Sequence, residues 1–211
     1  MSVFNVFKNA GWLDRLFGKR KHLRIGIYGP PNAGKTTLAN RVVRDFAGDV
    51  MGAASPVPHE TRRARKRENV KIVANGSSLT VDVIDTPGIA TKIDFHEFVE
   101  DFGFSEEEAR RRAKEATEGV IESIRWLEDV DGIILVMDCT QDPFTQVNIT
   151  LLGNIESRRK KVVIAANKID LPEASPATLK NAFPQHPVVP ISAHTGFAIQ
   201  QLYETMIKEF R

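Results

Sequence analysis

The sequence predicts an α/β fold in which repeated strand–helix units surround a mostly parallel β-sheet. Two observations predict it. Short apolar runs alternate along the chain with segments of helical periodicity, and the 211 residues have the composition of one globular domain, 42% hydrophobic and 27% charged. The longest apolar run covers only residues 132–137, which is far too short to span a membrane.

Six strands and five helices follow from these patterns. The predicted strands cover residues 23–28, 70–74, 79–85, 132–137, 161–166 and 188–191, and the predicted helices cover residues 34–46, 105–128, 143–157, 176–183 and 197–210. The 105–128 helix has the strongest support, because Ser105 and Glu108 form a capping box. Its i,i+4 pairs are Glu106/Arg110, Glu107/Arg111 and Glu108/Arg112, and its apolar stripe is Ala109, Ala113, Ala116, Val120, Ile124 and Leu127.

Residues 1–22 form an N-terminal extension, and residues 23–211 form the α/β domain. In a helix, the apolar residues of the extension would share one face, and the basic residues Lys19, Arg20 and Lys21 follow them. Two interpretations stay open: an extra helix packed on the domain, or a helix that binds a membrane surface or a partner.

Cysteine and charge content indicate the compartment. Cys139 is the single cysteine, so a disulfide framework is excluded and a cytoplasmic protein is expected. A signal peptide is not indicated, because Asn5, Lys8 and Asn9 interrupt the apolar residues at the N-terminus. The net charge of +2 gives no general argument for nucleic-acid binding.

The first strand leads into the pattern G-x-x-x-x-G-K-[ST] at residues 29–36, which opens a helix. Glycines let the backbone curl so that successive N–H groups face phosphate oxygens, and the helix N-terminus adds positive potential. Lys35 would reach the β- and γ-phosphates, and the Thr36 hydroxyl would ligate Mg²⁺. The candidate phosphate-binding residues are Asn32, Ala33, Gly34, Lys35, Thr36 and Thr37.

Two further motifs end later strands. Asp85-Thr86-Pro87-Gly88 places a carboxylate that can hold Mg²⁺, usually through water, and a glycine N–H that can contact a γ-phosphate. Asn167-Lys168-Ile169-Asp170 places a carboxylate that can accept two hydrogen bonds from guanine. A buried carboxylate there should reject adenine by about 10⁴-fold.

Smaller signals complete the candidate base site. The aliphatic stem of Lys168 can lie over a base, and a backbone N–H of Ser192 or Ala193, after the last strand, can meet the guanine O6.

The four motifs, at residues 29–36, 85–88, 167–170 and 192–193, occur in the order and spacing of the translation-factor class of GTPases, and the resemblance covers residues 23–210. Within that class the chain is most similar to the Era-like group, on the evidence of residues 29–38, residues 55–62 and the D-T-P-G motif. The resemblance implies a three-layer P-loop G domain whose six-stranded sheet has one antiparallel strand. It also implies a GTP-hydrolysing switch that uses GTP/GDP and Mg²⁺, with Thr61 of switch I completing the metal shell. Era proper adds an RNA-binding KH domain after its G domain. The resemblance covers only residues 23–210, so we expect a G domain alone, and RNA binding does not follow from the resemblance.

Hydrolysis would depend on Lys35, Thr36, Thr61 and Gly88. Ile89 stands where small signalling GTPases have a water-orienting glutamine, and an apolar side chain cannot align a nucleophile. In several similar proteins the residue equivalent to Asn32 helps hold K⁺; the alternative is that Asn32 only shapes the loop. A nucleotide-responsive binding module with negligible turnover is the rival function.

Possible partners are indicated by two other features. Aromatic residues at 95, 98, 102 and 104 follow Gly88, and they either pack on the domain or present an effector surface. Basic stretches at residues 19–24, 60–71 and 158–161 could be solvated, or could bind RNA or a ribosomal particle, with a membrane surface as the weaker choice. A monomer is expected.

Overall fold

A six-stranded sheet organises the protein, as predicted. The computed structural model describes residues 23–52, 61, 63–90 and 92–211; the 1–22 extension and most of the 55–62 motif lie outside the described residues. The strands are β1 (Leu23–Tyr28), β2 (Arg65–Ala74), β3 (Ser77–Asp85), β4 (Gly132–Asp138), β5 (Lys161–Asn167) and β6 (Val188–Pro190). Their spatial order is β2-β3-β1-β4-β5-β6, and β2 alone is antiparallel to its neighbour.

Helices cover both faces of this sheet. They are α1 (Lys35–Ala47), α2 (Phe95–Glu100), α3 (Glu106–Asp129), α4 (Gln146–Ser157), α5 (Pro176–Ala182) and α6 (Ile199–Phe210). Strand β4 shows the layering: Ile134 and Val136 pack in the core beneath α1 and α6, whereas Ile133, Leu135 and Met137 pack beneath α3, α4 and α5. Because both faces are covered, the central strands are continuously apolar. The predicted three-layer α/β architecture is confirmed.

The long helix α3 confirms its predicted start and corrects two details. Ser105 Oγ accepts a hydrogen bond from the Glu108 N–H at 3.3 Å, so the cap forms. Arg111 pairs with Glu108, so the predicted Glu107/Arg111 pair is wrong. Ile124 is 41% exposed, because it lies at the edge of the apolar stripe, and Ser123 is buried instead.

The segment after Gly88 contains a helix that periodicity did not reveal. Helix α2 has only six residues and begins where the Asp94 side chain accepts a hydrogen bond from the His96 N–H. Phe98 is buried, and the Arg110 guanidinium lies 4.1 Å from the centre of the Phe95 ring. Packing on α3 is therefore the interpretation that this structure favours for these aromatic residues.

Strand β2 starts five residues earlier than predicted, within the basic run. Lys66 on this strand pairs with the buried carboxylate of Asp82 at 2.9 Å and with Glu68 at 2.9 Å. The run is therefore partly neutralised within the sheet. No helix in the described part of the chain is long and apolar enough to cross a membrane.

Candidate nucleotide-binding site

The loop between β1 and α1 holds its lysine in a buried position. Lys35 is 6% exposed, and its Nζ donates a hydrogen bond to the Pro30 carbonyl at 2.7 Å. Burial lowers the pKa of Lys35 to about 8, although the nearby Asp85 carboxylate opposes this shift. The loop therefore holds the Lys35 amine, a hydrogen-bond donor that can carry a positive charge, in a buried position.

Three predicted metal ligands from distant parts of the sequence meet beside this lysine. The Thr36 hydroxyl donates to Asp85 Oδ2 at 2.8 Å and lies 2.9 Å from the Thr61 hydroxyl. The sequence predicted Thr36 and Asp85 from motifs, but Thr61 came only from the family resemblance. Their convergence places hydroxyl and carboxylate oxygens together, and Mg²⁺ prefers oxygen ligands.

Asp85 itself is fully buried and incompletely satisfied. Its Oδ1 atom has no hydrogen-bond partner among the described residues. Burial raises the pKa of Asp85, although Thr36 and Lys35 oppose the shift. An unpartnered buried carboxylate oxygen is costly, and a hard cation would relieve that cost. The residues therefore fit a magnesium ion.

The D-T-P-G segment lies directly against the phosphate-loop backbone. The Ile89 N–H donates to the Gly29 carbonyl at 3.2 Å, and the Thr86 hydroxyl donates to the Ile27 carbonyl at 2.7 Å. A Cβ on Gly88 would stand 3.0 Å from the Pro31 backbone and 3.2 Å from Lys35 Nζ, so a side chain there would crowd the phosphate loop. Ile89 is 6% exposed and belongs to the core, so its side chain does not reach the cradle.

Asn167 ties the base end of the site to the phosphate loop. Its Nδ2 donates to the Ala33 carbonyl at 2.8 Å, and its Oδ1 accepts from the Ala193 N–H at 2.9 Å. The Ser192 N–H donates to the Phe197 carbonyl at 3.1 Å. Both N–H groups predicted to meet a guanine O6 are therefore engaged, and a base would have to share the Ala193 N–H with Asn167.

Lys168 and Asp170 occupy the rim of the same edge. Lys168 has a left-handed backbone, with φ of 69°, and its Nζ pairs with Asp138 Oδ2 at 2.6 Å. Burial opposes ionisation of Asp138, but hydrogen bonds from Lys168 and Thr140 prevail and lower its pKa. The sequence did not single out Asp138, although its place at the end of β4 beside β5 was a usable signal. Asp170 is exposed in this structure, which corrects the expectation that its carboxylate is buried.

Gly34 gives a first prediction about this loop. Its φ is +99°, and a Cβ there would lie 2.2 Å from Asn167 Nδ2. We expect Gly34→Ala to cost about 1–3 kcal/mol more in unfolding free energy than Gly48→Ala, because it also breaks the Asn167 hydrogen bond. Gly48, at the other end of α1, has φ of +69° and open space at its Cβ, so it controls for backbone strain. Urea unfolding measures both; equal losses would contradict the prediction.

The basic stretch at 158–161 is largely used within the protein. Arg158 pairs with Glu128 at 2.7 Å, and Lys160 Nζ donates to carbonyls at the end of α3. Lys161 Nζ donates to the Glu209 carbonyl at 2.6 Å. These contacts favour a structural role for the stretch over phosphate binding.

A six-stranded sheet with one antiparallel edge strand, and a Gly-rich loop beside a buried Thr–Asp cluster, define a P-loop G domain. The family model described as "50S ribosome-binding GTPase" matches residues 24–168, so the chain belongs to that family.

Curated relatives and solved structures agree with this assignment. GTPase Der of Rhizobium meliloti (strain 1021) is 26% identical over 206 residues, covering 93% of this chain and 38% of Der. GTPase Era of Geobacter metallireducens is 28% identical over 190 residues, covering 87% of this chain and 54% of Era. The chain thus spans about half or less of the length of these relatives.

Two solved Era structures share the fold. An Aquifex aeolicus Era variant bound to GDP·AlF4⁻ superposes with a TM-score of 0.66 at 24% identity. Era in complex with MgGDPNP and a segment of 16S ribosomal RNA superposes with a TM-score of 0.67 at 23% identity. Each match covers 90% of this chain and 57% of the other.

Proposed function

We propose that this domain binds GTP with Mg²⁺ and hydrolyses it to GDP and phosphate, acting as a molecular switch. The observation that carries the proposal is the cluster of Thr36, Thr61 and Asp85 beside the buried Lys35, in which Asp85 Oδ1 has no hydrogen-bond partner within the described part of the chain. Thr36 and Thr61 would ligate the metal, Asp85 would hold it through water, and the metal would neutralise phosphate charge.

The chain's own groups would position the phosphates. The backbone N–H groups of residues 32–37 would hold phosphate oxygens, and Lys35 would exchange its Pro30 contact for the β- and γ-phosphates. The Gly88 N–H would contact the γ-phosphate. In this arrangement the loop would bind the phosphates before the reaction. Thr61 and Gly88 would lie near the γ-phosphate, where the negative charge is redistributed during hydrolysis.

Guanine would be recognised at the rim. The exposed Asp170 carboxylate would accept hydrogen bonds from the base and become covered by it, which supplies the burial that selectivity against adenine requires. Asp138 would hold the Lys168 ammonium so that the aliphatic stem lies over the base.

The rival function is a nucleotide-responsive binding module with negligible turnover. The burial of Ile89 favours it, because no side chain at that position aligns a water. Single-turnover hydrolysis of GTP, with GTP binding measured on the same sample, tests the proposal. If the protein binds GTP but hydrolyses it no faster than GTP is hydrolysed alone in buffer, only the binding module remains. If it does not bind GTP, both functions are overturned.

Asn32 gives a prediction about how hydrolysis is stimulated. Its backbone has φ of 57°, which turns the loop beside the phosphate cradle. If it helps to hold K⁺, hydrolysis should be at least about threefold faster in K⁺ than in Na⁺ at equal ionic strength, which excludes simple screening. Asn32→Ala should remove that difference. Equal rates in the two salts would contradict a potassium site and leave the GTPase proposal intact.

RNA or a ribosomal particle is the partner class that we favour. The support is the description of the matched family and the 16S ribosomal RNA in the Era complex. An effector protein would read the segments around Thr61 and Gly88, and membrane recruitment is the alternative. The protein would act as a cytoplasmic monomer. Sedimentation with ribosomal subunits in GDP and in a non-hydrolysable GTP analogue tests the ribosomal partner. Failure to associate in a nucleotide-dependent way would contradict it.

A further inference from the structure

Helix α3 contacts both segments that carry the proposed γ-phosphate and metal contacts. The Glu122 carboxylate accepts a hydrogen bond from the Ala64 N–H at 3.1 Å. The next residue, Ser123, donates its hydroxyl to the Pro87 carbonyl at 3.0 Å. Adjacent residues of one helix therefore hold two loops that are distant in sequence.

These two contacts lie close to the residues that matter. Ala64 follows Thr61 by three residues, and Pro87 directly precedes Gly88. Neither Glu122 nor Ser123 belongs to a recognised nucleotide motif, and sequence reasoning missed both. The two contacts therefore fix the backbone at Ala64, close to Thr61, and at Pro87, next to Gly88.

The hydroxyl of Ser123 has more than an ordinary helical role. Ser123 is fully buried and also lies 2.9 Å from the Gly119 carbonyl, the usual partner of a serine within a helix. Its second contact reaches out of the helix to Pro87, which is also buried. A buried carbonyl that loses its donor is destabilised, so this contact constrains the D-T-P-G segment.

We infer that Glu122 and Ser123 are positioning residues that hold Thr61 and Gly88 in the arrangement required for Mg²⁺·GTP. This inference rests on the proposed function and adds the part of the fold that aligns it. Thr61 contacts Thr36 in this structure, so the arrangement that α3 supports is the one in which the metal ligands converge.

The two nucleotides should respond differently when these contacts are removed. GTP with Mg²⁺ engages Thr61 and Gly88, whereas GDP lacks the γ-phosphate that both groups would approach. The apparent affinity of a ligand changes with the equilibrium between two arrangements of these loops only if the ligand binds the two arrangements with different affinities. Loss of either contact should therefore weaken the GTP analogue and spare GDP.

The test compares affinities for a non-hydrolysable GTP analogue and for GDP in the full chain with Mg²⁺. We expect Glu122→Ala and Ser123→Ala each to weaken the analogue by about tenfold, with GDP changed by less than about twofold. Glu122→Gln keeps an acceptor oxygen and should stay within about threefold of the parent. In single-turnover hydrolysis, the Ala variants should lose rate at saturating GTP as well as affinity.

Two variants of the same helix are matched controls. Glu118→Ala removes an exposed carboxylate from the groove that Glu122 also lines. Thr117→Ala removes an exposed hydroxyl that donates to the Ala113 carbonyl at 2.9 Å, which reproduces only the local contact of Ser123. Both controls should leave the ratio of the two affinities unchanged.

The outcomes separate this inference from the proposed function. A parent protein that binds both nucleotides, with Ala variants of unchanged affinity ratio, would overturn the positioning role alone. A parent that binds no GTP analogue would overturn the proposed function first. If thermal unfolding shows that Ser123→Ala does not fold, the comparison of Glu122→Ala with Glu122→Gln decides: equal affinity ratios would overturn the inference.

Discussion

Asp170→Asn is expected to change the preferred base from guanine to xanthine. The carboxylate can accept two hydrogen bonds from guanine, whereas an amide presents one acceptor and one donor group and matches the reversed pattern of xanthine. We expect affinity for GDP to fall by at least about 100-fold, because a hydrogen bond is lost and a donor is left facing a donor. Affinity for xanthosine diphosphate should rise above that for GDP.

Calorimetry with GDP, ADP and xanthosine diphosphate measures this change. Glu173→Gln is the matched control, because it removes one negative charge from an exposed residue on the same loop. It should leave the order of affinities unchanged. Comparable binding of GDP and ADP by the parent protein would show that the rim does not read guanine at all.

The sequence predicted the sheet well because its signals are local. Strand β4 has continuous apolar residues, since both of its faces are covered, and β1 leads directly into a Gly-rich loop. The motifs end strands whose carboxyl ends meet at one edge, which places their side chains together. These features need no knowledge of distant contacts.

Other features depend on contacts that no local pattern encodes. Helix α2 is too short to show a period. The Arg110 guanidinium of α3 lies over its Phe95 ring, and Arg112 of α3 lies over the ring of Phe104, which follows α2. Strand β2 begins among charged residues because β3 supplies its hydrogen bonds and Asp82 supplies a partner for Lys66. Tertiary pairing overrides the poor strand character of this stretch.

The candidate site shows the same division. The phosphate-loop residues and Asp85 followed from residue chemistry, but the role of Thr61 required the family resemblance. The ion pair of Asp138 and Lys168 and the two loop contacts of α3 required coordinates. Each of these joins residues far apart in sequence; the position of Asp138 at the end of a strand was a signal for the first contact, but no sequence pattern indicates the two contacts of α3.

Lys35→Ala and Thr36→Ala are expected to impair the site for different reasons. Lys35→Ala removes a buried positive charge, so affinity for GTP should fall by at least about 100-fold, while the hydrolysis that remains still depends on Mg²⁺. Thr36→Ala removes the hydroxyl that contacts both Thr61 and Asp85, so its residual hydrolysis should lose most of its dependence on Mg²⁺. Single-turnover assays across a magnesium titration separate the two effects. If both variants hydrolyse GTP at the parent rate, the phosphate-loop assignment is wrong.

The pH dependence of binding gives an independent test of Lys35. Its pKa is about 8 in the nucleotide-free protein, and phosphates would favour the charged form and raise that pKa on binding. Affinity should therefore be fully present well below pH 8 and fall as the pH rises through 8, by at most about tenfold per pH unit, because binding then requires uptake of a proton. Lys35→Ala should remove this decline. Calorimetry between pH 7 and pH 8.5 in buffers of different ionisation enthalpy measures the proton uptake directly, and zero uptake by the parent at pH 8.5 would contradict the role assigned to the lysine.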